Sequence, residues 1–279
     1  MSENSNKNRG IRVVFLTIMI LLTTSFLMFF IIGKFNATPA KGANQERENS
    51  QSIMSQSKEI ENTKSQREKR ADGKPVGKVV YLTFDDGPST LTGKFLDVLK
   101  ENDVKATFFM QGSNLQNASY QENVKRAVKE GHYIGAHSMT HNSDKLYKNG
   151  QFVPEMKETL SLIKDITGTN PKLVRPPYGS APGLKSEEIR NQIVEAGIKI
   201  WDWTIDSEDW KLKNNPNQII ENVKKSTTDD VEVVLMHEKP QTLAVLPEII
   251  KFYKEKGYEF GVYNDADHFH LNFQKDHRL

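Results

Sequence analysis

The sequence predicts an α/β protein: a distorted or incomplete (β/α) barrel of about seven βα units, preceded by one transmembrane helix and a disordered tether. Three observations predict it. From Lys78 onward, short apolar runs alternate with amphipathic stretches and show no internal repeat, and strict alternation argues for a parallel sheet. Val13–Ile32 is apolar and carries no charge. Between them, Gly33–Gly77 is rich in Ser, Asn, Gln, Lys and Glu and poor in large apolar residues, too polar to bury a core of its own.

Val13–Ile32 spans ~30 Å as a helix, enough to cross a bilayer core. Lys7, Arg9 and Arg12 precede it, with Glu3 opposing. This charge bias puts residues 1–12 in the cytoplasm and everything after Lys34 outside, so the expected location is a single-pass protein of the cell membrane with its folded domain extracellular. Cleaved secretion is the alternative. Secretory apolar cores run ~7–15 residues, shorter than this one, and Pro39 spoils Ala37-Thr38-Pro39-Ala40 as a cleavage site. The linker 33–77 reads as a coil with a reach of roughly 35–40 Å, or as a lone frayed helix between Ala43 and Asp72.

The remaining 78–279 forms the predicted catalytic domain. Lys78–Phe84 reads as a strand and Thr90–Glu101 as a helix with Phe95, Val98 and Leu99 at helical spacing. Ala106–Met110 is a strand, Glu122–Glu130 a helix, Tyr133–Ala136 a strand and Glu155–Ile166 a helix. Lys172–Val174 is a short strand, followed by a helix over Glu187–Ala196 ended by Gly197. Ile198–Trp203 is a strand, Pro216–Lys225 a helix, Val231–Met236 a strand, Pro247–Lys256 a helix and Tyr258–Val262 a final strand.

In such barrels chemistry sits at the C-terminal ends of strands, and the polar residues fall there. Asp85 and Asp86 end the first strand, His137 the third, Arg175 the fourth and His237 a later one, while Trp203 to Asp209 follow the strand between. His137 and His141 are four apart. On one helical turn both would face the same way and could bind one metal; two surface histidines are the competing reading. With one Asp they make a site that leaves positions open for water or substrate, the catalytic pattern for a divalent cation such as zinc. One of the adjacent carboxylates could then serve the metal and the other act as a base. The competing reading is an acidic turn, Asp85-Asp86-Gly87-Pro88.

Five ordered signatures carry a resemblance. Thr83-Phe84-Asp85-Asp86-Gly87, His137-Ser138-Met139-Thr140-His141, Arg175-Pro176-Pro177-Tyr178, Asp206-Ser207-Glu208-Asp209-Trp210 and Leu235-Met236-His237 resemble those of the NodB-like polysaccharide deacetylases, carbohydrate esterase family 4, including its membrane-anchored bacterial peptidoglycan N-acetylglucosamine deacetylases. The resemblance implies Asp85 as general base, and Asp86, His137 and His141 as ligands of zinc, or of cobalt, nickel or manganese. It implies Arg175 pairing with Asp85, the backbone N–H of Tyr178 binding the oxyanion, and Asp209 contacting His237, the general acid. Trp210 and Leu235 would wall the groove for the sugar and its acetyl methyl. The implied activity is hydrolysis of N-acetyl groups from cell-wall glycan, peptidoglycan N-acetylglucosamine foremost, with release of acetate. Chitin oligosaccharides or another acetylated polysaccharide are alternatives, and a carbohydrate-binding surface protein without catalysis is the reading from another class. Every position of the implied machinery is filled, which argues against the last.

Composition narrows the rest. The absence of cysteine excludes disulfides and thiolate metal sites. A net charge of +2 with scattered Lys and Arg makes no case for nucleic acid, and no protein partner is implied. Trp201 and Trp203 read as core packing, and His132 as structural or surface. His268, His270 and His277 read as solvated histidines of a polar tail in which Phe269, Leu271 and Phe273 alternate, as an edge segment packed on the barrel would.

Overall fold

The structure, a computed structural model, describes residues 68–279. The expected transmembrane segment Val13–Ile32 and most of the expected tether lie outside the described residues. Among the described residues, no helix is long and apolar enough to cross a membrane. The end of the expected tether is docked on the domain instead. Lys69 and Pro75 form an antiparallel bridge, Arg70 pairs with Asp230 at 2.8 Å and Lys69 with Asp267 at 2.7 Å. Its polar composition hides this, because the segment docks through charges and backbone bonds.

The elements alternate as expected: β1 (Val79–Gly87), α1 (Thr92–Glu101), β2 (Thr107–Met110), α2 (Gly112–Leu115), α3 (Ala118–Lys129), β3 (Tyr133–Ala136), α4 (Phe152–Thr167), β4 (Leu173–Val174), α5 (Glu187–Glu195), β5 (Lys199–Ile200), β6 (Ile205–Asp206), α6 (Pro216–Ser226), β7 (Val231–His237), α7 (Pro240–Glu255) and β8 (Glu259–Gly261). Helix α7 begins at Pro240, a turn-compatible N1 position, and carries Pro247 inside it. Helix α3 starts earlier than the apolar pattern indicates because the Asn117 side chain accepts the Ser119 N–H and caps it. The strand expected over Ile198–Trp203 stops at Ile200, and β6 follows as a separate two-residue strand.

All strand pairs are parallel, in the order β5-β4-β3-β2-β1-β7-β6, with β8 also on β1. One edge of β1 is taken by β7 from Val79 to Asp85; the other is shared by β8 at Val79–Tyr81 and β2 at Thr83–Gly87. The sheet is curled. Arg175 follows β4, three strands from β1, yet its Nη1 reaches Thr83 Oγ1 at 2.6 Å and Asp85 Oδ1 at 2.9 Å. A flat sheet would separate those strands by roughly 14 Å, beyond an arginine's reach. Between β5 and β6 the C-terminal segment substitutes for strand pairing: Trp201 bridges Leu271, the Asp202 N–H donates to Leu271 O at 2.7 Å, and Trp201 Nε1 donates to Phe269 O at 2.9 Å. The expected edge segment is therefore present, and the barrel is incomplete.

Side-chain alternation sorts the core into two layers. Leu82, Phe84, Phe108, Val234 and Met236 pack toward the helices. Phe109, Val231, Val233 and Trp201, with Tyr81 against them, fill the barrel interior together with Tyr263 and Phe269 from the C-terminal segment. The interior is thus packed, and the chemistry is left at the strand ends.

Candidate active site

The register of β1 with β7 sets Asp85 beside His237. Asp85 is 2% exposed and accepts from Arg175. The next residue, Asp86, has a φ of 70°, which turns its carboxylate away from that of Asp85 into the cleft. The two carboxylates share one neighbour, His137 Nε2, at 3.7 Å from an oxygen of each, and otherwise differ: Asp85 is held by Arg175, and Asp86 faces His141 and Lys239. Arg175 is fully buried and its guanidinium also donates to Trp201 O at 3.2 Å and Asp202 O at 2.8 Å, while lying 4.1 Å over the Phe109 ring. A buried cation is tolerated only when its donors are met in this way.

The histidine pair is close, but not on the helical turn that the spacing predicts. Strand β3 ends at Ala136, and Ser138 and His141 have φ of 61° and 52°. The carbonyls of Ser138 and Met139 accept the N–H groups of Gly112 and Ser113 at the start of α2, at 2.8 and 3.0 Å, so they are not available for helical i→i+4 bonds. The loop still converges the ligands: His137 Nε2 and His141 Nε2 each lie 3.7 Å from Asp86 Oδ1, and one ligand atom from each of Asp86, His137 and His141 falls within 4.8 Å of the other two. His137 Nδ1 lies 2.8 Å from the carbonyl of Arg175. A carbonyl only accepts, so Nδ1 carries the proton and Nε2 presents a lone pair to the cleft. Burial pushes the His137 pKa down against the fields of Asp85 and Asp86. Burial alone would raise the Asp86 pKa, but His137, His237, His141 and Lys239 hold it below the usual carboxylate value. A neutral imidazole lone pair, a second imidazole and an ionised carboxylate with open positions between them are the donor set a divalent transition metal takes.

Across the cleft His237 is held differently. Its Nδ1 lies 2.6 Å from Asp209 Oδ1. Asp209 is fully buried, and its other oxygen accepts the His237 N–H at 2.7 Å and the Thr242 hydroxyl. Burial would lower the His237 pKa, yet the bond to Asp209 and the negative fields of Asp209, Asp85 and Asp86 raise it on balance. Eight of the ten sequence-predicted site residues line one cleft of about 430 Å³: Asp85, Asp86, His137, His141, Tyr178, Trp210, Leu235 and His237. Arg175 and Asp209 lie directly behind Asp85 and His237. Tyr178 has a φ of 66°, and its N–H donates to no protein group among the described residues.

The sequence profile of the family described as Polysaccharide deacetylase matches residues 72–201. A Bacillus cereus protein named peptidoglycan-N-acetylglucosamine deacetylase is 49% identical over 248 residues, covering 87% of this chain and 89% of the relative. The chain belongs to the polysaccharide deacetylase family. The crystal structure of a Bacillus cereus polysaccharide deacetylase matches the enzyme with a TM-score of 0.70 at 52% identity, over 72% of this chain and all of that one. A Bacillus subtilis protein named peptidoglycan-N-acetylmuramic acid deacetylase is 36% identical over 187 residues, 66% of this chain and 38% of the relative.

Four cleft residues of the enzyme received no site role in the sequence reading: Pro176, which stands in a quoted signature, Trp203, Asp206 and Lys239. Trp203 is not core like Trp201. It lines the cleft and meets Phe273 edge-on at 5.0 Å, because the chain leaves the strand at Ile200 and alternation no longer sets its facing. Asp206 stands within a quoted signature but received no role; burial raises its pKa. Lys239 Nζ lies 3.6 Å from Asp86 Oδ2, and no spacing marks it. The other histidines have settled places. His132 is buried and its Nδ1 accepts the Ala106 N–H at 3.0 Å. His268 lies between Tyr263 Oη and Leu279 O, and His270 and His277 are exposed. Among the described residues, Asp86, His137 and His141 form the one metal-capable group.

Proposed function

We propose that this deacetylase hydrolyses N-acetyl groups of cell-wall glycan, with peptidoglycan N-acetylglucosamine as substrate and acetate as product. The observation that carries the reading is the cleft with an Asp/His/His donor set at its floor, a carboxylate locked by Arg175 on one side and an imidazole locked by Asp209 on the other. The name and coverage of the Bacillus cereus relative support the sugar.

A divalent cation held by Asp86, His137 and His141 would polarise the acetyl carbonyl and acidify water. Asp85, oriented by Arg175, takes the proton of the attacking water as general base. The Tyr178 N–H, which donates to no protein group among the described residues, is the donor this reading assigns to the oxyanion that forms as the carbonyl becomes tetrahedral; one such donor is typically worth about 3–4 kcal/mol. The amine cannot depart as an anion. His237, with Nδ1 committed to Asp209, points Nε2 toward the cleft and delivers the proton that lets it leave. Against the effect of burial, Asp209 raises the His237 pKa above its ordinary value, which favours the protonated form this step needs. Leu235, Trp203 and Trp210 supply apolar and aromatic walls for the acetyl methyl and the sugar.

The charge-free Val13–Ile32 and the basic residues before it support a single-pass anchor with this domain outside the cell; protease treatment of intact cells, followed by detection of both chain ends, tests that arrangement. The function is tested by incubating purified protein separately with peptidoglycan and with chitin oligomers and digesting the products for mass spectrometry. Loss of acetyl mass from the N-acetylglucosamine of peptidoglycan is expected. Loss from the muramic acid instead, or only from chitin, would replace the substrate assigned here, and no loss from any glycan would overturn the reading.

A further inference from the structure

The loop between the two histidines is bonded to a buried carboxylate that is none of the residues assigned above. Glu155, in the first turn of α4, is 8% exposed and does not line the cleft. Its Oε2 accepts the backbone N–H groups of Met139 and Thr140 at 3.1 and 2.9 Å. The Thr140 hydroxyl lies 2.9 and 3.0 Å from its two oxygens. Met139 and Thr140 lie between His137 and His141, flanked by the positive-φ residues Ser138 and His141.

A non-glycine residue held at positive φ costs of order 1–3 kcal/mol and persists only where its surroundings over-determine it. Successive N–H groups in such a turn converge into a concavity that attracts an anion. Here the protein supplies the anion itself. The loop's donors end on Glu155, its carbonyls end on Gly112 and Ser113 of α2, and the His141 N–H ends on Ser138 Oγ at 2.9 Å. The fit leaves no slack, since a Cβ on Gly112 would strike the Met139 sulfur and Thr159 Oγ1.

We infer that Glu155 is a positioning residue for the metal site: a buried carboxylate that neutralises the strained loop's N–H groups and thereby fixes the separation of the His137 and His141 rings, whose centroids are 5.0 Å apart. It touches neither substrate nor metal. The inference rests on Asp86, His137 and His141 being the metal ligands. In Glu155→Gln the side chain keeps its size but loses its charge: its one oxygen can still accept the two N–H groups and its N–H₂ can donate to the Thr140 hydroxyl, but neutral bonds are roughly half as strong as charge-assisted ones, so the strained loop relaxes and the two imidazoles lose their shared aim.

The test is the affinity and absorption spectrum of Co²⁺ bound to the full chain, measured without substrate. Glu155→Gln should weaken Co²⁺ binding about 10–100-fold, the usual effect of removing an outer-shell partner, and shift the visible bands of the bound ion. Ile163→Val, a truncation in the same helix facing the core, should lower Tm without moving either reading. Unchanged affinity and spectrum in Glu155→Gln would overturn the inference. Should that variant not fold, Glu155→Asp, which withdraws the carboxylate by one methylene, carries the same expectation and the same refutation. His141→Ala is the control for the parent reading. If it binds Co²⁺ as tightly as the natural sequence does, the assigned ligands are wrong; if it loses the ion while Glu155→Gln keeps it unaltered, only the role of Glu155 falls.

Discussion

His137 at the end of β3 and His237 at the end of β7 face the same cleft, and both are largely buried, yet their Nδ1 atoms meet different acceptors. His137 donates to a neutral carbonyl, that of Arg175, and burial wins: its pKa is lowered and its lone pair stays free. His237 meets the carboxylate of Asp209, and the charge wins over burial: its pKa is raised, which favours the protonated form. The same residue type is left with a lowered pKa on one rim and a raised pKa on the other, suited to the ligand and acid roles proposed above, and the acceptor at Nδ1 separates the two. His132 is a third case, buried with a backbone N–H donated to its Nδ1 and its Nε2 without a partner. It does not line the cleft.

The comparison breaks most completely at the ligand rim. His137→Ala should abolish both bound metal and activity, read together by elemental analysis and acetate release. His237→Ala should retain the metal while kcat falls about 10²–10⁴-fold, the usual worth of a positioned acid or base. Equal metal loss in both variants would erase the distinction between the rims. Asp86→Asn and Asp85→Asn should repeat the contrast on adjacent residues: lost metal in the first, and metal retained with a similar fall in kcat in the second.

A smaller effect sharpens the acid rim. Because Asp209 raises the His237 pKa, and the acid must be protonated to act, activity is lost as pH climbs through that pKa. Asp209→Asn keeps the shape of the partner and removes its charge, so the alkaline limb of kcat/KM should move to lower pH. A limb that stays in place would take the acid role from His237.

The smallest effect concerns the third of these histidines. Burial lowers the His132 pKa from 6.5 to about 4. Between those values the unfolded chain binds the proton more readily, so stability is full above the unfolded pKa and drains as pH falls toward 4. The shift corresponds to about 3 kcal/mol at most. His132→Gln should flatten the fall of Tm between pH 6.5 and 4; an unaltered slope would show that other groups dominate the acid response.

The strand ends of the barrel were legible in the sequence because a buried parallel strand reads as an apolar run, and its last residue announces itself by polarity: Asp85, His137, Arg175 and His237 all stand there. Side-chain facing beyond a strand end was not legible. Trp203 was assigned to the core by an alternation that stops at Ile200, and the His137–His141 pair was set on a helical turn although Gly112 and Ser113, more than twenty residues upstream, take the carbonyls that a helix would need. Glu155 and Lys239 act through contacts that no spacing encodes. The docked segment at residues 68–77 has the composition of the tether it was assigned to, and its ion pairs to Asp230 and Asp267 depend on residues from the far end of the chain.

Arg175 gives the site a property of its own. Its side chain spends four hydrogen bonds on β1 and on the chain between β5 and β6, and its backbone carbonyl selects the tautomer of His137. Asp85, the ring of His137 and the curl of the sheet therefore share one residue and are not separable modules. A change at Arg175 would therefore disturb shape and chemistry together, whereas the aromatic walls, Trp203 and Trp210, are positions where the cleft can be recut without touching these contacts.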